Sequence, residues 1–143
     1  MKTKIYSIII AIIVVAIGYI TSHPLVFYIC SNTYKFNDYV GCLDSSIQNI
    51  GFPLLIFSLW ALLATVVTAF FSERIFHSWL KFAALAIPLA IIFIALTPVS
   101  SYAFMDLFPF YRDDAARLAG QVFSGVSLVL IIWKWFTSRR SSI

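Results

Sequence analysis

Four apolar stretches, at about 5–22, 52–71, 79–97 and 115–136, occupy most of the chain. Each is close to the ~20 residues a helix needs to cross about 30 Å of hydrocarbon. The expected fold is therefore all-α: a four-helix transmembrane bundle with a small disulfide-containing extracytoplasmic cap. Residues 1–143 are expected to form a single integral membrane domain, since four spans leave no room for a second core. Composition agrees: only 11% of the 143 residues are charged, against about a quarter in soluble domains, and mean hydropathy is +0.95.

The net charge of +4 is explained by where the charges sit. Lys2, Lys4, Arg74, Lys81, Lys134, Arg139 and Arg140 fall on one side of the spans, with Glu73. Lys35, Arg112 and Arg117 fall on the other, with Asp38, Asp44, Asp106, Asp113 and Asp114. The positive-inside rule puts the first set in the cytoplasm, so both termini are expected there, with the protein in the plasma (inner) membrane. The basic excess is thus topogenic and points to no nucleic-acid partner. The lipid bilayer is the expected partner, with anionic headgroups near Arg139 and Arg140. MKTK followed by an Ile-rich run also has the outline of a signal peptide. The run is longer than the usual apolar core and no A-x-A site follows, which favours an uncleaved first span.

Along the chain, the first span is nearly pure aliphatic and suits a peripheral position or anchor. His23-Pro24 ends it. The segment from Thr21 to Gly51 is too apolar for a free linker and is expected to pack on the outer helix ends. Pro53 is expected in the first turn of span 2. Spans 2 and 3, joined by the short SERIFHSW turn, are expected to pair as an antiparallel hairpin. Trp79 and Lys81 are read as interfacial residues, and Pro88 as a kink. In the second outer segment Phe104, Leu107, Phe108 and Phe110 suit the membrane surface. Small residues recur as Ala61, Thr65 and Ala69 on span 2 and as Ala116, Gly120 and Ser124 on span 4. Such stripes let membrane helices approach closely. They are expected either to meet a partner or to be consumed inside the bundle.

The stretch FSERIFHSWLKFAALAIPLAIIFIALTPVSS, through Phe71, Glu73, Phe76, Trp79, Phe82, Pro88 and Thr97-Pro98, resembles a pattern in small bacterial multi-span membrane proteins of unknown role. The resemblance implies a bacterial plasma-membrane protein and transfers no active site.

Candidate chemistry is sparse. Cys30 and Cys42 both fall in the first outer segment, an oxidising location. A bond between them closes a 13-residue loop, worth roughly 3 kcal/mol in the chain-entropy model. A quinone-linked thiol oxidase is the sharper alternative, similar in size and span count, but a relay needs a C-x-x-C pair and a second pair to exchange with. An outer polar cluster, Asp106, Arg112, Asp113, Asp114 and Arg117, is either a gate or a helix start in which an aspartate caps the helix and Asp113 pairs with Arg117. His23 is near enough in topology to join it. His77, in the inner turn, reads as a headgroup-level polar residue. The middle turns of all four spans lack ionisable residues, which mark proton relays by default; Gln121 is the one strongly polar candidate. No phosphate loop, catalytic motif or metal-spaced Cys/His set occurs, so no cofactor or metal site is expected. The expected role is non-enzymatic: an accessory or structural protein acting through helix–helix contacts with itself or a larger membrane complex. An oligomeric transporter or channel is the runner-up, and a thiol-redox enzyme the third reading.

Overall fold

The four apolar stretches form helices α1 (Lys2–Ser22), α2 (Ser45–Ala69), α3 (Glu73–Leu96) and α4 (Arg112–Arg140), with strands β1 (Thr33–Phe36) and β2 (Tyr39–Cys42) between α1 and α2. The computed structural model describes residues 2–30, 33–37, 39–42, 45–98 and 111–140. Each helix contains a segment long and apolar enough to cross a bilayer: Lys2–Ser22, Asn49–Ala69, Glu73–Leu96 and Arg112–Thr137. By length and composition the chain is that of a membrane protein.

α2 is central. α1 lies along one side of it and α4 along another, while α3 packs mainly on α4. α2 and α3 therefore do not form the closely paired hairpin expected from their short connection. They part after the turn, and α3 leans on α4 instead. Phe123 of α4 is the hub: Phe82 stacks on it at 5.7 Å, Phe57 lies 6.0 Å away and Trp79 6.4 Å. Offset and edge-on aromatic contacts of this kind add to simple burial.

Glycine sets how closely α1 and α2 approach. A Cβ on Gly18 would fall 2.9 Å from the Leu55 Cα, and one on Gly51 would fall 2.4 Å from the Thr21 carbonyl carbon. The backbones touch at both points, which compensates for the lack of a hydrophobic drive between helices in lipid. α1 is otherwise mostly exposed, as its aliphatic sequence predicts.

The described residues of the first outer segment form a turn and a hairpin. Pro24 opens a one-turn helical stretch, closed by the Ile29 N–H donating to the Pro24 carbonyl at 2.9 Å. Tyr28 takes the left-handed conformation (φ 55°) that ends such a turn. β1 and β2 then pair antiparallel, Thr33 opposite Cys42 and Phe36 opposite Tyr39, around a turn where Asn37 has φ 44°. Asn tolerates this region better than most residues. α2 begins at Ser45, not near Phe52, so Pro53 lies inside the helix rather than in its first turn. The contact of Gly51 with Thr21 and Ser22 braces this early turn against α1 and offsets the hydrogen bond that proline removes. Pro88 lies on the exposed side of α3 without ending it.

Gly51→Ala is expected to destabilise the protein by about 1–3 kcal/mol, since the added methyl must push backbone rather than a side chain. Ile13→Ala, on the exposed face of α1, is expected to stay within about 0.5 kcal/mol. Unfolding in mild detergent, followed by circular dichroism, measures both.

Candidate functional site

Of the outer polar cluster, Arg112 is the member with defined partners. Its Nε donates to the Thr97 carbonyl at 3.1 Å and its Nη2 to the Ala95 carbonyl at 3.3 Å. Its backbone N–H donates to the Pro98 carbonyl at 3.2 Å. The guanidinium thus closes the C-terminal end of α3, where unpaired carbonyls and the helix dipole favour a cation. Asp113 and Asp114 are half-buried in the first turn of α4 and Arg117 is exposed. The i,i+4 spacing of Asp113 and Arg117 does not produce an ion pair among the described residues. Asp106, Phe104, Leu107, Phe108 and Phe110 lie outside the described residues. His23 does not join the cluster: its Nδ1 lies 2.8 Å from the Ser22 hydroxyl and 3.1 Å from the Tyr19 carbonyl, and its ring packs on Tyr19 at 4.6 Å.

A matching arrangement stands at the other end of the bundle. Lys4 Nζ donates to the Ala69 carbonyl at 3.0 Å and to the Phe71 carbonyl, and lies 5.8 Å from the Phe76 ring centre. It caps α2 as Arg112 caps α3. In the sequence Lys4 stands out only as a topogenic charge.

Trp79 is buried within the bundle rather than exposed on its surface. It is 4% exposed, and its indole N–H donates to the Ser127 hydroxyl at 3.0 Å inside the core. Its position one to two turns into α3 and its aromatic neighbours, Phe76 at 5.7 Å and Phe123, draw it inward. Lys81 and His77 are exposed.

The small-residue stripes are consumed within the bundle. Ala116 is fully buried, Gly120 lies against the Trp60 indole (a Cβ would come 2.5 Å from its Cδ1), and the Ser124 hydroxyl donates to the Trp60 carbonyl at 3.2 Å. On α2, Thr65 is buried and Ala61 and Ala69 are half-buried. Thr65 and Thr68 bond back to Ala61 at 2.7 Å and Ala64 at 2.8 Å in their own helix. Their hydroxyls therefore bond within α2, whereas Ser124 and Ser127 of α4 bond across helices.

Two features of the surface remain. Gln121 faces outward on α4, nine residues after Arg112, and Gly125 one turn further has open space where a Cβ would stand. Between α2 and α3 runs an apolar groove made of two adjacent halves. One, of about 320 Å³, is also walled by α1. The other, of about 300 Å³, ends at Arg112, and the halves share Leu54, Phe57 and Ile91. Among the described residues no three His, Cys, Asp or Glu side chains converge.

Ser127→Ala leaves the Trp79 indole N–H without its partner and is expected to cost about 0.6–2 kcal/mol, the range for hydrogen bonds between membrane helices. The double variant Trp79→Phe, Ser127→Ala is expected to cost less than the sum of the two single changes; a double-mutant cycle on detergent unfolding measures this.

No protein-family model matches the chain, and neither the curated proteins nor the solved structures give a significant match.

Proposed function

We propose that this is a non-enzymatic accessory or structural protein of the bacterial plasma membrane that acts through helix–helix contacts, with both termini cytoplasmic. The observation that carries this reading is the outward face of α4. Gln121 stands about 13 Å along the helix from Arg112 at 1.5 Å per residue, and so within the hydrocarbon, where it has no hydrogen-bond partner among the described residues. A polar amide facing lipid is costly. Amides of this kind join membrane helices by hydrogen bonding across them, and glycine lets the backbones close. Leu118, Gln121, Gly125, Leu128 and Ile132 are all exposed and follow the 3–4 spacing of a left-handed helix pair. The packing stripes used within the bundle leave this face for a partner helix.

The orientation rests on charge. Lys2, Lys4, Arg74, Lys81 and Lys134 lie towards one end of the helices, whose antiparallel order follows from Lys4 meeting the end of α2 and Arg112 the end of α3. This is the arrangement the positive-inside rule assigns to the cytoplasm. The hairpin would then be extracytoplasmic. A Cys30–Cys42 disulfide belongs to the same proposal. It is supported by the register that sets Cys42 opposite Thr33, three residues after Cys30, and by Cys30 not being a free thiol.

Gln121→Leu is expected to weaken association with the partner about tenfold, equivalent to roughly 1.4 kcal/mol, while Val129→Ala leaves it unchanged. Co-purification in mild detergent and photo-crosslinking from position 128 in native membranes measure the effect. A protein that stays monomeric and captures no stoichiometric membrane partner ends this reading. Reduction and alkylation of the purified chain checks the disulfide: two alkyl groups are expected after reduction and none before.

A further inference from the structure

We propose that the groove between α2 and α3 binds an anionic phospholipid, its phosphate on Arg112 and one acyl chain lying between the helices. This goes beyond helix–helix association and does not depend on it.

The groove exists because α2 and α3 separate after their turn. Its deeper half presents almost only carbon. Ser58 and Thr65 line it, but their hydroxyls are tied to the carbonyls of Leu55 at 3.0 Å and Ala61 at 2.7 Å in their own helix. The Trp79 indole N–H is likewise turned away, towards Ser127. Ser7 of α1 adds one further hydroxyl to a wall otherwise made of carbon. The outer half is walled by Ile50, Pro53, Leu54, Ile94 and Ala95 and ends at Arg112. The cation there spends two of its five N–H donors on α3 carbonyls, which leaves three for a phosphate. Asp113 and Asp114 do not line either half. Apolar length ending in a single cation matches an amphiphile with an anionic head.

Size separates this occupant from a helix. Each half lies within the roughly 300–1,000 Å³ of ligand sites. A helix with its side chains is a rod about 10–12 Å across, whereas a flexible hydrocarbon chain is narrow enough to follow the irregular apolar wall at Leu54, Phe57 and Ile91, which line both halves.

The full chain, reconstituted in phosphatidylcholine vesicles, is irradiated with phosphatidylglycerol carrying a diazirine on its acyl chain, and in parallel with phosphatidylcholine carrying the same group. Labelled peptides are mapped by mass spectrometry. Phosphatidylglycerol is expected to label residues 50–57 and 91–95 about fivefold more than phosphatidylcholine, the factor that matches about 1 kcal/mol per basic group. Arg112→Gln is expected to remove the preference and Arg112→Lys to retain most of it. Since Arg112 also caps α3, Ala95→Phe provides the independent arm: it fills the outer half from an exposed position and is expected to lower labelling with the cation intact. Equal labelling by the two lipids, a preference that survives Arg112→Gln, or labelling indifferent to Ala95→Phe would each show ordinary boundary lipid and overturn the proposal.

Discussion

Hydrocarbon offers backbone carbonyls no hydrogen-bond partner, and the way this chain closes its helix ends organises much else. The last carbonyls of α2 receive Lys4 and those of α3 receive Arg112. Each cation stands in the first turn of its own helix, where the dipole disfavours it, and is compensated by the C-terminal end of a neighbour. The two caps bind the start of α1 to the end of α2, and the start of α4 to the end of α3. Helix order is therefore fixed by polar contacts at the rims, while apolar surface, which lipid matches equally well, fixes little.

Between the rims, close approach takes over. Gly18 and Gly51 bring the α1 and α2 backbones into contact, and Gly120 accommodates the Trp60 indole between α2 and α4. α3 has no glycine and no comparable contact with α2. It is held instead by aromatic packing on Phe123 and by the Trp79–Ser127 hydrogen bond. One pair in backbone contact, α1 on α2, and two held through side chains leave unequal gaps. The groove between α2 and α3 is the consequence of that inequality.

The sequence carried the helices clearly, because uninterrupted apolar length is a one-dimensional property. The stripe of Ala116, Gly120 and Ser124 was legible for the same reason, although its occupant, Trp60, was not. What escaped depends on pairings distant in sequence. Lys4 and Ala69 are 65 residues apart, and Trp79 and Ser127 are 48 apart. A tryptophan near a lysine at a span's start reads as interfacial until the facing serine is known. Pro53 suggested a helix start because proline suits the first turn. The reading could not include Gly51 braced on Thr21, which holds the helix for two turns before it. The β1–β2 hairpin was hidden because its strands have four residues each and an Asn turn without the Asn-Gly signature.

The distribution of polarity separates structural groups from those left for other molecules. Where a hydroxyl or cation is needed for the fold, its partner is close: Thr68 on Ala64, Ser124 on Trp60, Arg112 on Thr97. Gln121 departs from that pattern, as an amide in the apolar part of α4 with no partner among the described residues. Arg112 departs from it differently, because its cap uses only part of its donor capacity while its charge ends an apolar groove. In water either feature would be unremarkable, since solvent would satisfy both. In a bilayer an unpaired amide and a cation at the mouth of a hydrocarbon channel each carry a cost that a bound molecule can remove. The two lie on different faces, so a partner helix at Gln121 and a lipid at Arg112 can be accommodated together.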